Sequence, residues 1–210
     1  MTRRRFGLFI SLLFLGVFLS SSPAAGQEGA TPEQLVQKIT NEVLAAVKSD
    51  QQLAAGDREK ALKLAEEKVL PHIDFEYATR IAVGRAWRKA SPEQRKQLVD
   101  AFRSMLVRIY SNSISSYEGQ TLQVLPSRGA QDPEDATVRT QFIGAGGKPL
   151  PIDFQARKTE QGWKIYDIVV EGISLVLTYK SEFDAVVRDQ GIEGLIKRMD
   201  EKNAPAKVAR

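Results

Sequence analysis

The chain has 210 residues, of which 42% are hydrophobic and 27% are charged, so its composition is that of an ordinary globular protein with one cored domain. That composition excludes collagen-like, disordered and polytopic membrane proteins. The formal charge is only +4, and the chain contains no cysteine, which excludes disulfides, thiolate nucleophiles and cysteine-ligated metals.

The N-terminal segment predicts a secretory signal peptide. Three arginines at 3–5 precede an apolar run at 6–19, which is shorter than the roughly 20 residues of a membrane-spanning helix. Small residues follow, and cleavage fits after either Ala24 or Gly26, so we assign residues 1–26 to the signal. The arginines also leave the twin-arginine export route open. Without them 27 basic residues face 26 acidic ones, and this net charge of +1 is too small for a nucleic-acid footprint.

Two similar start signals predict the longest helices. The segments TPEQ at 31–34 and SPEQ at 91–94 each supply a hydroxyl N-cap, a proline at the first helical position and a glutamine that can reach back to the cap. An apolar stripe with helical spacing follows each signal, to about Ser49 in the first case and to about Tyr117 in the second. Two short helices are predicted between them, the first of which is stopped by Pro71.

The apolar pattern changes after Gly119 from helical spacing to alternation, which predicts strands. Glycine-rich turns at 144–147 and 160–162 indicate an antiparallel meander, and two helical segments close the chain. We therefore predict an α+β fold, with a four-stranded antiparallel sheet flanked by helices, in one domain over residues 27–203 and a flexible tail at 204–210. The four strands are predicted around 122–124, 138–142, 150–154 and 163–170.

Few side chains could carry catalysis. His72 is the only histidine and lies between two helices, where a structural role is usual, and no carboxylate cluster has metal-ligand spacing. The glycines before Lys148 lack phosphate-loop spacing. Asp167 is the remaining candidate base, because strict alternation places it on one face with Trp163 and Ile165. On that face Asp167 would either make a buried hydrogen bond or indicate that the face is solvated. We expect the protein to have neither a metal nor a cofactor.

A basic cluster surrounds a tryptophan. Arg80, Arg85 and Arg88 flank Trp87, and such a group could contact lipid headgroups or an acidic partner. The alternative is a solvated charged surface without a partner.

Three segments together carry a family resemblance. They are HIDF at 72–75, AVGRAWRKASPEQ at 82–94 and GWKIYDIVVEGISLV at 162–176. In this order and spacing the chain resembles the toluene-tolerance family, the MlaC-type periplasmic phospholipid carriers, over essentially its whole mature length. The resemblance implies an apolar pocket enclosed between a curved sheet and flanking helices, with the acyl chains inside and the phosphate headgroup outside.

The same resemblance implies a function. The protein would be a monomeric carrier without enzymatic activity, which shuttles phospholipid through the periplasm of a Gram-negative bacterium and maintains outer-membrane lipid asymmetry. Its partners would be an inner-membrane ABC transporter complex with an MCE-domain ring and an outer-membrane lipoprotein–porin complex. No nucleic acid and no cofactor are implied, and the bound phospholipid is the cargo.

The lipid-contacting residues follow from motif position and from the inward phase of the predicted elements. They are Phe75, Ile81, Val83, Phe102, Leu106, Ile109, Tyr110, Phe154, Ile168, Val170, Ile173, Leu175, Val176 and Tyr179. Three alternatives stay open: a carrier of another lipid such as a hopanoid or a fatty acid, a periplasmic adaptor with a solid core, and an enzyme that uses Asp167 as a base. Periodicity alone does not distinguish a filled core from one left open for a ligand.

Overall fold

The computed structural model describes four stretches of the chain, and the predicted signal peptide and C-terminal tail lie outside them. None of the helices in these stretches combines the length and apolar character that crossing a bilayer requires. The described residues are 30–110, 121–127, 132–144 and 147–203.

Helices precede and follow a single antiparallel sheet, so the predicted α+β class is confirmed. Short 3-10 turns join several of the elements. In chain order the main elements are α1 (Pro32–Ser49), α2 (Gln51–Ala54), α3 (Arg58–Lys68), α4 (Phe75–Val83), α5 (Pro92–Tyr110), β1 (Thr121–Val124), β2 (Asp135–Ile143), β3 (Leu150–Thr159), β4 (Gly162–Val170), β5 (Ile173–Ser174) and α6 (Lys180–Asn203).

Capping boxes begin α1 and α5, as the sequence predicts. At α1 the Gln34 N–H donates to the Thr31 hydroxyl at 3.2 Å, and the Gln34 side-chain oxygen accepts from the Thr31 N–H at 2.9 Å. Ser91 and Gln94 repeat both bonds at the start of α5. Two otherwise unpaired amides are thereby satisfied at each helix start. The predicted extension of α5 to Tyr117 lies outside the described residues.

The sheet has five strands in the order β1-β2-β3-β4-β5, so the prediction of four strands was wrong by one. The additional strand, β5, has only two residues and pairs with the end of β4. A tight turn precedes it, in which Glu171 and Gly172 have φ values of 50° and 83°. Two residues are too few to display an alternating pattern, which is why the sequence analysis missed this strand.

A β-bulge interrupts the pairing of β3 with β4. Ala156 opposes Ile165 and Gln155 opposes Asp167, so Tyr166 is an extra residue on β4. Because a bulge shifts the alternation by one residue, Asp167 lies on the face opposite to Ile165. The prediction that these two side chains share a face was therefore wrong.

Two large apolar cores hold the fold together. The helical core is formed by α4, α5 and α6 and includes Leu98, Phe102 and Phe183, all at most 1% exposed. The sheet core lies between α1 and the sheet, where Val36 packs with Val138 among others. A smaller core joins α1 to α3. Helix α4 contacts the sheet at β4, and the 3-10 turn at Leu177–Tyr179 contacts β5, so the helical core meets the sheet at one edge.

A glycine breaks α6 into the two helical segments that the sequence predicts. Gly191 has φ 72° and ψ −174°, a backbone conformation that is essentially restricted to glycine. A Cβ at this position would meet no atom within 4 Å, so only the backbone conformation demands glycine.

We expect Gly191→Ala to lower the free energy of unfolding by about 1–3 kcal/mol, because alanine is strained in this conformation. Urea unfolding of both proteins measures the loss. The matched control is Gly147→Ala, where a Cβ also meets no atom within 4 Å, and this change should stay within about 0.5 kcal/mol of the wild type. Equal losses at the two positions would contradict a backbone origin.

Candidate apolar binding site

One face of the sheet is apolar over its whole width. Residues that are paired across antiparallel strands point to the same face, so the register assigns each side chain. Thr140 belongs to this face but is fully buried, and its hydroxyl donates to the Ile152 carbonyl. The apolar face carries Leu122, Val124, Ala136, Val138, Phe142, Leu150, Ile152, Phe154, Ala156, Ile165, Ile168, Val170 and Ile173.

Helix α1 covers only one end of the apolar face. There Val138 and Ile165 are 1% and 3% exposed beneath Leu35 and Val36. At the other end five apolar side chains are at least partly exposed and belong to none of the three cores of the described chain. We call this group the open apolar end, and its members are Phe142, Leu150, Ile152, Val170 and Ile173.

The open apolar end includes the least covered large apolar residue of the described chain. Ile173, in β5, is 63% exposed and pairs with Val170. Solvated apolar groups are unfavourable by about 25 cal/mol per Å² relative to burial. A contiguous group of this kind therefore marks a surface that is ready to accept an apolar ligand or partner.

The segment 173–179 joins the open apolar end to the helical core. The Leu175 N–H donates to the Ile168 carbonyl at 2.9 Å, which extends the β4–β5 pairing. One residue later Val176 is 3% exposed and packs in the helical core. Tyr179 then stacks on Phe183, with ring centroids 5.6 Å apart.

Asp167 fixes this segment. Its carboxylate accepts hydrogen bonds from the Ile168 N–H at 2.8 Å, from the Val176 N–H at 3.1 Å and from the Ser174 hydroxyl. The side chain is 7% exposed, and both carboxylate oxygens are occupied. Of the roles that the sequence leaves open for Asp167, the structure favours the buried hydrogen-bonding one over that of a general base.

Half-buried apolar residues also line the edge of the helical core. Leu106 packs against it, Ile109 is 45% exposed and Leu177 is 50% exposed. Near these residues in the chain are Tyr110 and Tyr179, whose hydroxyls lie 3.5 Å apart. Burial raises the pKa of Tyr179, and the hydrogen bond with Tyr110 adds to this effect, so the hydroxyl remains protonated and able to donate.

The predicted lipid-contacting residues fall into distinct groups. Val170 and Ile173 lie in the open apolar end, and Phe154 and Ile168 lie on the same face, partly buried against the sheet core. The residues at the edge of the helical core or in the joining segment are half-buried or exposed: Ile81, Leu106, Ile109, Tyr110, Leu175 and Tyr179.

Four of the predicted residues do not line this region. Val83, Phe102 and Val176 are at most 3% exposed and pack within the helical core, so their side chains contact other protein groups. Phe75 lies elsewhere, beneath the Arg103 guanidinium, which is 5.5 Å from the ring centroid. The apolar periodicity correctly places these residues on a buried face. It does not show whether a buried face packs in a core or lines a pocket.

The sequence analysis also missed residues of the region. Phe142, Leu150 and Ile152 share the apolar face with Phe154 and were used only to predict strands. Their alternation with Phe154 was the signal that could have found them. Leu177 lies in a 3-10 turn, for which no periodicity exists to read.

The predicted contact role of Trp87 does not agree with its burial. Trp87 is 7% exposed in the helical core, and Arg95 lies over its ring at 5.5 Å and donates to its carbonyl at 3.1 Å. The indole is therefore a core residue and not a surface contact. Arg80, Arg85 and Arg88 are exposed, as a headgroup or partner contact requires.

A polar cleft of about 1100 Å³ lies between the α3–α4 connection and the β3–β4 hairpin. Its charges are mixed, and the Arg157–Asp74 ion pair at 2.9 Å crosses it. His72 lies in the same connection, and burial lowers its pKa with help from the positive charges of Lys164 and Lys38. The imidazole is therefore neutral near pH 7. No group of three metal-ligating side chains occurs in the stretches that the structure describes.

Comparisons with known proteins agree with the earlier resemblance. The sequence profile of the MlaC protein family matches residues 37–201. The intermembrane phospholipid transport system binding protein MlaC of Haemophilus influenzae is 24% identical over 190 residues, which cover 89% of this chain and 88% of that protein. The toluene tolerance protein ttg2D of Pseudomonas putida is 26% identical over 184 residues, or 86% and 85% of the two chains.

A solved structure is similar in fold as well as in sequence. It is the phospholipid-binding protein from Ralstonia solanacearum in complex with a phospholipid. The two structures superpose with a TM-score of 0.76 and are 36% identical, and the match covers 83% of this chain and 97% of the other.

Proposed function

This chain belongs to the MlaC protein family, and we propose that it is a periplasmic carrier that binds phospholipid acyl chains at the open apolar end. The observation that carries this proposal is the set of five apolar side chains of the sheet that belong to none of the cores in the described part of the chain. The phospholipid in the similar Ralstonia protein supports the choice of ligand. The fully engaged carboxylate of Asp167 supports a carrier over an enzyme.

An apolar pocket would form where the open apolar end meets the joining segment and the edge of the helical core. The acyl chains would lie along Ile152, Val170 and Ile173, and the phosphate headgroup would remain in water. Each methylene removed from water contributes about 0.8 kcal/mol, so two chains of roughly 15 carbons represent over about 20 kcal/mol. A lipid therefore does not cross an aqueous space unaided, whereas a protein that covers both chains offsets most of this cost.

A carrier of this kind needs no energy source of its own. Because the lipid exchanges one apolar environment for another, capture and release lie close to balance. Direction then comes from the relative affinities of the partners or from ATP hydrolysis in one of them. We propose that these partners are an inner-membrane MCE-domain ABC transporter complex and an outer-membrane lipoprotein–porin complex. Residues 1–26 would direct export, and residues 27–203 would form the monomeric lipid-binding domain.

Native mass spectrometry tests the proposal directly. The mature protein is purified from its own periplasm without detergent, and bound lipid is identified under native and denaturing conditions. We expect stoichiometric phospholipid. Stoichiometric binding of a hopanoid or a fatty acid would show that the cargo is not a phospholipid. A lipid-free protein that also takes up no lipid from phosphatidylethanolamine–phosphatidylglycerol vesicles would overturn the carrier function.

A further inference from the structure

The Tyr110 and Tyr179 hydroxyls are a polar pair beside the aromatic rings of the helical core. Tyr179 stacks on Phe183 and meets Phe102 edge-on at 5.6 Å, while its hydroxyl points to that of Tyr110. Both tyrosines are half-buried. Neither hydroxyl has another hydrogen-bond partner among the residues that the structure describes.

A pair of hydroxyls always has one proton left over. Each phenol supplies one donor, and when one hydroxyl donates to the other, the second proton needs an acceptor elsewhere. The O···O distance of 3.5 Å is also long for a hydroxyl pair, which normally lies at about 2.7–2.8 Å, so the mutual bond leaves both groups available. The pair therefore offers a donor to a group that only accepts.

The pair lies at the boundary between protein and solvent, and Tyr179 belongs to the segment that leaves the open apolar end. Ile109, beside Tyr110, is 45% exposed, and Leu177, two residues before Tyr179, is 50% exposed. The Val176 N–H is bonded to Asp167 of the sheet, and a 3-10 turn with a rise of about 2 Å per residue leads from there to Tyr179. Tyr179 therefore lies six residues after Ile173 of the open apolar end, in the segment that joins this end to the helical core.

We propose that the Tyr110–Tyr179 hydroxyl pair donates a hydrogen bond to an ester carbonyl of the bound lipid and so selects ester-linked over ether-linked chains. This inference rests on the proposed phospholipid-binding function and adds a polar contact to it. In a glycerophospholipid the ester carbonyls lie where the acyl chains meet the headgroup, which is the boundary that the pair occupies. An ester carbonyl accepts strongly and donates nothing, whereas an ether-linked chain lacks this carbonyl.

A competition between two matched lipids tests the proposal. Delipidated protein is equilibrated with equal amounts of dioleoyl phosphatidylglycerol and its dioleyl ether analogue, and native mass spectrometry gives the ratio bound. One hydrogen bond corresponds to a preference of about 2- to 10-fold for the ester lipid in the wild type. The double variant Tyr110→Phe/Tyr179→Phe should bring the ratio to about 1, while each single variant keeps most of the preference because the remaining hydroxyl can still donate.

The matched control is Tyr166→Phe, which removes a half-buried tyrosine hydroxyl that donates to the Asp135 carboxylate at 3.2 Å. Its ester preference should equal that of the wild type. An equal ratio for both lipids in the wild type, or an unchanged preference in the double variant, would overturn the inference while leaving phospholipid carriage intact. A wild type that binds neither lipid would overturn the carrier function itself, and the inference with it.

Discussion

Val170→Glu is expected to weaken phospholipid binding by about 100-fold or more. Val170 lies in the open apolar end, where acyl chains would cover it, and a carboxylate there must lose its water when the lipid binds. Burial of an unpaired charge costs several kcal/mol, and each 1.4 kcal/mol is a factor of ten in affinity. In the empty protein the side chain is only half-buried, so the carboxylate stays hydrated and the fold persists. Titration of the delipidated variant with a fluorescent phospholipid measures the loss.

Val169→Glu is the matched control, since Val169 is the preceding residue of β4 and is also half-buried, but points to the opposite face of the sheet. It pairs directly with Asp153, so the new carboxylate meets a like charge and this change is the harsher one for the fold. Lipid binding should nevertheless remain within a few-fold of the wild type. Equal loss of binding in the two variants would place the acyl chains elsewhere.

Local chemistry explains why most of the fold could be predicted. The N-terminal boundaries of α1 and α5 depend on contacts between residues three positions apart, Thr31 with Gln34 and Ser91 with Gln94. Pairs this close in the chain can be recognised from the sequence alone. The four longer strands follow from alternation, because the sheet buries one face more than the other. These features need no knowledge of tertiary structure.

The missed features depend on contacts between distant residues or on elements too short to have a period. β5 forms because a tight turn brings Ile173 and Ser174 alongside β4. Two residues are too few to show an alternating pattern. At the bulge, β4 has one residue, Tyr166, between the pairs Gln155–Asp167 and Ala156–Ile165, whereas β3 has none. Only the pairing of the two strands reveals this difference. That bulge moved Asp167 to the other face, so the strict alternation in the sequence indicated the wrong neighbours for it.

The candidate site shows a different limit of sequence reasoning. Phe102 and Ile173 both have the pattern of an inward residue, yet one is fully buried and the other is 63% exposed. The difference is whether another element covers the side chain, and coverage is a property of the packed structure. Helix α1 packs on one end of the apolar face and does not reach the other. The alternating pattern of β2, β3 and β4 does not indicate which part of the face the helix covers.

Asp167→Ala is expected to lower the free energy of unfolding by about 3–5 kcal/mol. The change removes the acceptor for two backbone N–H groups and one hydroxyl, and each buried donor left without a partner costs about 1–3 kcal/mol. The side chain is 7% exposed, so water reaches these donors poorly. Because the Val176 N–H is one of the donors, the loss falls on the segment that joins the sheet to the helical core. Urea unfolding followed by circular dichroism gives the free energy.

Asp153→Ala is the control for this change, because Asp153 lies on the same face of the sheet in the neighbouring strand but is half-buried and makes no hydrogen bond among the described residues. Its removal should change the free energy of unfolding by no more than about 0.5 kcal/mol. If Asp167→Ala were equally mild, the three hydrogen bonds would not be what holds the joining segment in place. A large loss at Asp167 alone would show that this carboxylate has an architectural role, since it fixes the segment that carries both Ile173 and Tyr179.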